Sequence, residues 1–203
     1  MTEERRSTSA LMICLAALFA LTALDLWTKD WAQGALAAPA QNVPLCAPDE
    51  HGRRHMQHIR TDKVVLVEGY LEFRYAENCG AAFGMLDKAP KWVRTGVFMT
   101  AGVVAVGALM WMFITGNGGR MFAWSVPLIV SGALGNMVDR VRLGYVVDFI
   151  RFHINDGWEW PTFNVADSTI TVGVVLLLLD GLLRQEPTGD AEPSGEKSAE
   201  PTG

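Results

Sequence analysis

The stretch WVRTGVFMTAGVVAVGALMWMFIT, from Trp92 to Thr115, decides the fold, because Arg94 is the only charged residue in an otherwise apolar or weakly polar run. A helix needs roughly 20 residues to cross about 30 Å of hydrocarbon, and this stretch supplies them. Three runs of similar character lie outward from it, at Ala10 to Trp27, Met121 to Val138 and Phe163 to Leu183. The sequence therefore predicts an all-α membrane protein with four transmembrane helices.

The amino-acid composition excludes several other classes of protein. The chain has 203 residues, of which 50% are hydrophobic and 19% charged, which excludes a disordered or collagen-like protein. A net charge of -5 and a pI near 5.3 argue against a nucleic-acid partner, since phosphates need a basic surface. The alternative class is a water-soluble enzyme with four buried helices.

We predict a single transmembrane domain over residues 1–183, with spans at about 10–29, 92–115, 121–140 and 163–183. Residues 30–91 then form a periplasmic loop and β region, and residues 184–203 a disordered cytoplasmic tail. Arg5 and Arg6 before the first run indicate an uncleaved signal anchor with a cytoplasmic N-terminus. Residues 31–91 contain seven Lys or Arg, whereas the segments expected in the cytoplasm contain five, which conflicts with the positive-inside rule. Because that rule is weak for long loops, the conflict counts for less here.

The long loop contains a strand signal. In VVLVEGYLEFRY, from Val64 to Tyr75, apolar and charged residues alternate, which predicts a small sheet on the membrane surface with one apolar face. We also expect a short amphipathic segment. Trp158 and Trp160 are expected to lie at the membrane interface.

Carboxylates near the ends of the spans are the strongest functional signal. A charge within a bilayer span costs about 2.5 to 3.5 kcal/mol on insertion scales, so such a residue is a functional candidate. If the spans alternate in direction, Asp25, Asp139, Asp148 and Asp167 meet at one membrane face, together with Asn78, Asn136, Arg140 and Asn164.

Spacing assigns some of these residues to shared faces. Gly132, Asn136 and Arg140 recur every four residues and lie on one helical face, where the glycine allows close approach of a neighbour or a ligand. Asn164 and Asp167, three apart, also share a face.

The location of Asp148 stays open at this stage. On a continuous helix it would lie about 180° around the axis from Asp139. A break at Gly144 would instead return Asp148 to the site.

Simpler interpretations exist for two pairs. Asp25 and Lys29 have the spacing of an ion pair at a solvated helix end. Asn164 and Asp167 have the spacing of a helix capping box.

Other chemistry has little support. His51, His55 and His58 form a loose group without metal-ligand spacing, and no HExxH, GxSxG or P-loop motif occurs, so we expect neither metal nor cofactor. Whether Cys46 and Cys79 form a disulfide is left open.

Four motifs together resemble the bacterial lipoprotein signal peptidase (signal peptidase II) family. They are ALDLWTK around Asp25, ENCGAAFGM around Asn78, SGALGNMVDRVRLGYVVDFI from Ser131 to Ile150, and FNVADSTITVG from Phe163. The resemblance runs from the first span to the fourth. Two features depart from the family pattern, a loop insert at about residues 37–61 and the cysteine at position 79.

The resemblance implies an aspartic endopeptidase of the bacterial inner membrane with a periplasm-facing site. It would remove the signal peptide from diacylglyceryl-modified prolipoproteins, cutting before the lipidated cysteine. Asp148 and Asp167 would be catalytic, and the substrate-binding or supporting residues would be Asp25, Lys29, Asn78, Gly132, Asn136, Asp139, Arg140 and Asn164. Its partners would be lipidated prolipoproteins, membrane lipids and globomycin-type inhibitors, with no nucleic acid, and it would act as a monomer.

The competing function is an ion- or proton-coupled transporter, since buried carboxylates also mark ion pathways. A transporter predicts carboxylates spread through the membrane depth and internal repeats. Here the carboxylates crowd one face and the sequence contains no repeat.

Overall fold

The computed structural model describes residues 6–37, 57–59, 63–80, 89–155 and 157–184. Its helices are α1 (Thr8–Leu36), α2 (Lys91–Ile114), α3 (Arg120–Arg142) and α4 (Val165–Leu183). Within these ranges, 4 helices are long and apolar enough to cross a membrane. Large apolar side chains such as Phe19, Trp111 and Leu182 are exposed on the outer surfaces, as expected of helices that face lipid. The predicted all-α membrane fold is confirmed.

Helix α1 is longer than the sequence indicated. It begins after Ser7, whose side chain accepts a hydrogen bond from the Ala10 backbone N–H at 3.2 Å, and it continues to Leu36 rather than ending near residue 29. Asp25 and Lys29 therefore lie well inside the helix.

Strands from two distant parts of the chain form one small antiparallel sheet. They are β1 (Gln57–Ile59), β2 (Val64–Val67), β3 (Leu71–Asn78), β4 (Val146–Ile154) and β5 (Trp158–Glu159). Strand β3 pairs with β1 and β2 along one edge and with β4 along the other. The predicted sheet is present, and the segment after α3 contributes two of its strands.

The simple alternation predicted for β3 is wrong in detail. Glu72 is 1% exposed, and Tyr75, Ala76 and Glu77 are buried in succession. The pairing of β3 with β4 shifts register between Phe73 and Ala76, and such a bulge turns consecutive side chains away from strict alternation. The short amphipathic segment has no separate helix in the described ranges and stays a prediction.

A glycine turn carries the chain from α3 into β4. The helix ends at Arg142, and Gly144 follows with φ of +84°, a left-handed conformation that favours glycine. Strand β4 starts two residues later and includes Asp148. The break at Gly144 therefore exists, and Asp148 belongs to a strand rather than to a continued helix.

Helix α3 is central, since it packs against α1, α2 and α4. One apolar cluster joins the end of α1 to the sheet through Leu36, Tyr75 and Phe149. A second cluster, which includes Phe113 and Phe122, lies at the other end of the helices. Between these clusters lie the buried polar residues of the candidate site.

Candidate active site

The two candidate catalytic aspartates lie on different elements that backbone hydrogen bonds hold together. Asp148 lies in β4 and Asp167 in the first turn of α4. Just before α4, the Phe163 carbonyl accepts from the Ile150 N–H at 2.8 Å, and the Phe163 N–H donates to the Ile150 carbonyl at 2.9 Å. This bridge fixes the start of α4 against β4 and brings both aspartates to one face.

Asp148 is fully buried, with 0% of its surface exposed. Its Oδ1 accepts a hydrogen bond from Asn164 Nδ2 at 2.7 Å, and its Oδ2 accepts one from Asn78 Nδ2 at 3.0 Å. Both oxygens therefore have neutral amide donors, which orient the carboxylate without adding charge.

Asp167 is held in a similar way but is less buried. Its Oδ1 accepts from Asn136 Nδ2 at 2.8 Å, and its Oδ2 accepts from the Asn164 backbone N–H at 3.3 Å. The Asn164 side chain in turn accepts from the Asp167 backbone N–H at 2.9 Å, which completes a capping box. The predicted capping box exists, and it also orients a candidate catalytic group.

Asn164 joins the two aspartates. It is 0% exposed, and its side-chain amide contacts Asp148, Asn136 Oδ1 at 3.2 Å and the Val147 carbonyl at 3.2 Å. The Asn164 side chain therefore contacts both β4, which carries Asp148, and α4, which carries Asp167.

Lys29 and Asp25 are each 1% exposed, so their interpretation as a solvated helix end is wrong. Lys29 Nζ lies 2.8 Å from Asp25 Oδ2 and 3.2 Å from Asp139 Oδ2, and it donates to Asn136 Oδ1 at 2.8 Å. The buried ammonium thus lies between two carboxylates and donates a hydrogen bond to the Asn136 amide oxygen. Asn136 connects this group to Asp167.

Arg140 is half-buried and lies near the aspartate pair. Its Nη1 donates to the Asn136 carbonyl at 3.2 Å, and its guanidinium carbon lies 5.0 Å from the centre of the Phe98 ring. Its charge acts on both Asp148 and Asp167. The site therefore has a cation available to a carbonyl or headgroup oxygen.

Two glycines of α3 allow the polar residues to come close. A Cβ on Gly132 would lie 2.4 Å from the Ala166 carbonyl oxygen, so Gly132 permits α4 to pack on α3 rather than lining the site. A Cβ on Gly135 would lie 2.2 Å from Asp25 Oδ2. Sequence reasoning missed Gly135, and its spacing of three from Gly132 was the available signal.

An apolar groove of about 340 Å³ opens beside Asp167. Its lining residues are Trp160, Phe163, Asp167, Ser168, Thr171 and Val172. Trp160 is 52% exposed at its rim. The groove gives an apolar molecule access to the less buried member of the pair.

A second polar group lies in the sheet, away from the aspartate pair. Glu72 contacts Arg151 and lies 3.5 Å from Lys63 Nζ and 3.6 Å from His153 Nε2, and Arg151 also contacts Glu159. Burial raises the pKa of the Glu72 carboxyl, but Arg151 and Lys63 outweigh burial and hold that pKa below its ordinary value.

Several sequence predictions lie outside the described residues or at their edge. His51, His55, Cys46 and the insert near residues 37–61 are largely outside them, while Cys79 takes part in a disulfide. Within the described ranges, no group of three His, Cys, Asp or Glu side chains is arranged to hold a metal ion.

The chain resembles known proteins over most of its length. The family model described as Signal peptidase (SPase) II matches residues 17–183. A lipoprotein signal peptidase of Pseudomonas syringae pv. tomato is 35% identical over 168 residues, which cover 82% of this chain and 96% of that protein. The lipoprotein signal peptidase of Paraburkholderia phytofirmans is 48% identical over 107 residues, covering 53% of this chain and 61% of that protein.

Two solved structures, both described as bacterial membrane enzymes, share the fold. One has a TM-score of 0.64 at 22% identity, covering 95% of this chain and 100% of that one. The other has a TM-score of 0.60 at 25% identity, with coverage of 92% and 100%. These comparisons give no support to the transporter alternative.

Proposed function

The chain belongs to the signal peptidase II family and is a multi-pass membrane peptidase, and from this premise we propose that Asp148 and Asp167 are its catalytic pair. The reaction is removal of the signal peptide from prolipoproteins. In the finer form that we propose, the substrate carries a diacylglyceryl-modified cysteine and the cut falls before that residue.

The observation that carries the assignment is the meeting of two aspartates from separate elements on Asn164. In the reaction that we propose, one carboxylate of the pair acts as the base and the other as the acid. The ionised member takes a proton from a water molecule as that water attacks the scissile carbonyl carbon. The protonated member donates its proton to the carbonyl oxygen, which gives a gem-diol intermediate. As this intermediate collapses, the bond from the carbonyl carbon to the leaving nitrogen breaks, the nitrogen takes the proton held by the first aspartate, and a hydroxyl proton returns to the second. Because water is the nucleophile, no acyl-enzyme forms.

The remaining polar residues have supporting roles. Asn78, Asn136 and Asn164 orient the carboxylates through neutral donors. Arg140 faces the same space and is suited to hold a substrate carbonyl or an ester oxygen of the lipid.

The groove beside Asp167 supports lateral entry of the substrate from the bilayer. Its wall is apolar apart from Asp167 and the hydroxyl groups, which suits a substrate that arrives embedded in lipid. Membrane lipids and globomycin-type inhibitors would meet the same surface.

The location and oligomeric state follow as proposals. We expect the bacterial inner membrane, with the aspartate pair facing the periplasm and the chain acting as a monomer. The apolar outer surfaces of the four helices support a multi-pass arrangement.

The test is cleavage by the purified full chain of a prolipoprotein with and without the diacylglyceryl group. We expect cleavage of the lipidated form alone, and mass spectrometry of the product should show the lipidated cysteine as its first residue. Equal cleavage of the unlipidated form, or a cut elsewhere, would contradict the proposed specificity.

A further inference from the structure

Asp25, Lys29 and Asp139, called the clamp below, form a buried ionic group whose outward contacts reach the backbone next to each catalytic aspartate. Asp25 Oδ1 accepts a hydrogen bond from the Ala166 N–H at 2.8 Å. Ala166 immediately precedes Asp167.

The second carboxylate of the clamp makes the corresponding contact on the other side. Asp139 Oδ2 accepts a hydrogen bond from the Val147 N–H at 3.1 Å, and Val147 immediately precedes Asp148. Lys29 lies between the two carboxylates and holds them together. A continuous chain of contacts therefore joins the backbone before Asp148 to the backbone before Asp167.

The clamp is buried and closely packed. Asp25, Lys29 and Asp139 are 1%, 1% and 2% exposed. A Cβ on Gly135 would overlap Asp25 Oδ2, so the glycine at this position makes room for the carboxylate. Because these charges have no access to water, moving either backbone segment would separate a buried charge from its partner, which is strongly unfavourable.

We propose that Asp25, Lys29 and Asp139 are positioning residues that fix β4 and the start of α4 relative to each other and so set the geometry of the catalytic carboxylates. The inference rests on the proposed function, because it assigns the clamp a part in that reaction. Lys29 also contacts Asn136, which donates to Asp167, so the clamp acts on Asp167 by a second route.

The test compares Asp25→Asn and Asp139→Asn with the wild-type full chain in cleavage of a lipidated prolipoprotein. Each change keeps the side-chain shape and removes its charge. A misplacement of about 1 Å at a reacting group can cost about a hundredfold in rate, so we expect kcat per folded enzyme to fall about ten- to a hundredfold with KM changed less than about threefold.

Asp180→Asn is the matched control. Asp180 is also a buried aspartate that accepts from backbone N–H groups, those of Gly119 at 2.8 Å and Phe122 at 3.1 Å, but it lies at the opposite end of α4. We expect this variant to lose stability while keeping the wild-type kcat and KM.

A second variant tests the proposal even if Asp25→Asn or Asp139→Asn fails to fold. In Gly135→Ala the new methyl group displaces the Asp25 carboxylate without removing a charge. Gly173→Ala is its control, since a Cβ on Gly173 would lie 2.6 Å from Ile129, away from the clamp. We expect Gly135→Ala to lower kcat and Gly173→Ala to leave kcat unchanged.

The outcomes distinguish failure of the proposed function from failure of the proposed role of the clamp. A wild-type chain that does not cleave would overturn the proposed function and, with it, the role of the clamp in that reaction. An active wild type whose clamp variants and Gly135→Ala keep full kcat, as Asp180→Asn does, would overturn the clamp alone.

Discussion

At the scale of single residues, the side chain of Asn164 connects the two candidate catalytic aspartates. Its side chain accepts from Asp167 and reaches Asp148, Asn136 and Val147, and it is entirely buried. Removing its side chain would take one hydrogen bond from each of these groups, and a lost hydrogen bond costs about 1 kcal/mol.

We therefore predict that Asn164→Ala lowers both activity and stability. Turnover of lipidated prolipoprotein should fall by at least about a hundredfold, because the Asp148 carboxylate loses an orienting donor and the Asp167 backbone N–H loses its acceptor. Thermal unfolding and cleavage should be measured on the same preparation. Asn117→Ala is the control, since Asn117 is exposed and its side chain donates a hydrogen bond to Thr115 Oγ1 at 2.8 Å, far from the site. Wild-type turnover by Asn164→Ala would contradict the prediction.

At this scale the sequence predicted a local contact and missed a distant one. The capping box of Asn164 and Asp167 is local in sequence, so three-residue spacing was sufficient to predict it. The contact of Lys29 with Asn136 spans 107 positions, and no local pattern encodes it. For the same reason the Asp25–Lys29 pair suggested a solvated helix end, whereas it is buried.

At the scale of elements, the sheet brings the first catalytic candidate to the second. Strand β4 presents Asp148 because α3 stops at Arg142 and Gly144 turns the chain. The sequence left a break at Gly144 open, and it did not indicate the strand, because the pairing partner of β4, strand β3, lies some 70 positions earlier. Long-range pairing of this kind has no local signature.

The Glu72 group in the sheet gives a pH prediction. The folded-state pKa of Glu72 lies below its ordinary value of 4.5, so ionised Glu72 contributes stability that is present above that value and is lost as pH falls through the folded-state pKa. We expect wild type to exceed Glu72→Gln in melting temperature at pH 7. The difference should shrink as pH falls below 4.5.

Melting curves in detergent between about pH 3 and 7 would measure this difference. Glu159→Gln is the matched control, since Glu159 also contacts Arg151 but its side chain is 63% exposed. A gap between wild type and Glu72→Gln that does not change with pH would contradict the prediction.

At the scale of the whole molecule, the polar site lies at one end of the helices and a second set of contacts lies at the other. There Arg6 donates to the carbonyls of Asn117, Gly118 and Gly119, which form the turn before α3. The four apolar runs predicted the number of spans correctly because membrane crossing needs only length and hydrophobicity. Which end faces which compartment is not encoded so simply, since the charge rule was ambiguous here.

Labelling of cysteines introduced at the two ends tests the orientation. We expect Glu159→Cys to react with a membrane-impermeant maleimide added to intact spheroplasts, and Asn117→Cys to react only after lysis. Both positions are exposed, so access to the reagent depends on the compartment. The parent chain without an added cysteine gives the background, and the reverse pattern would contradict a periplasm-facing site.

The measurement that tests the central claim most directly is cleavage of lipidated prolipoprotein by Asp148→Asn and Asp167→Asn beside wild type. The control is Asp30→Asn, whose carboxylate is 59% exposed and lies 3.6 Å from Arg142. We predict that both site variants fold but lose at least about a hundredfold in turnover per folded enzyme, while Asp30→Asn stays active. A folded Asp148→Asn or Asp167→Asn that cleaves at the wild-type rate would contradict the account.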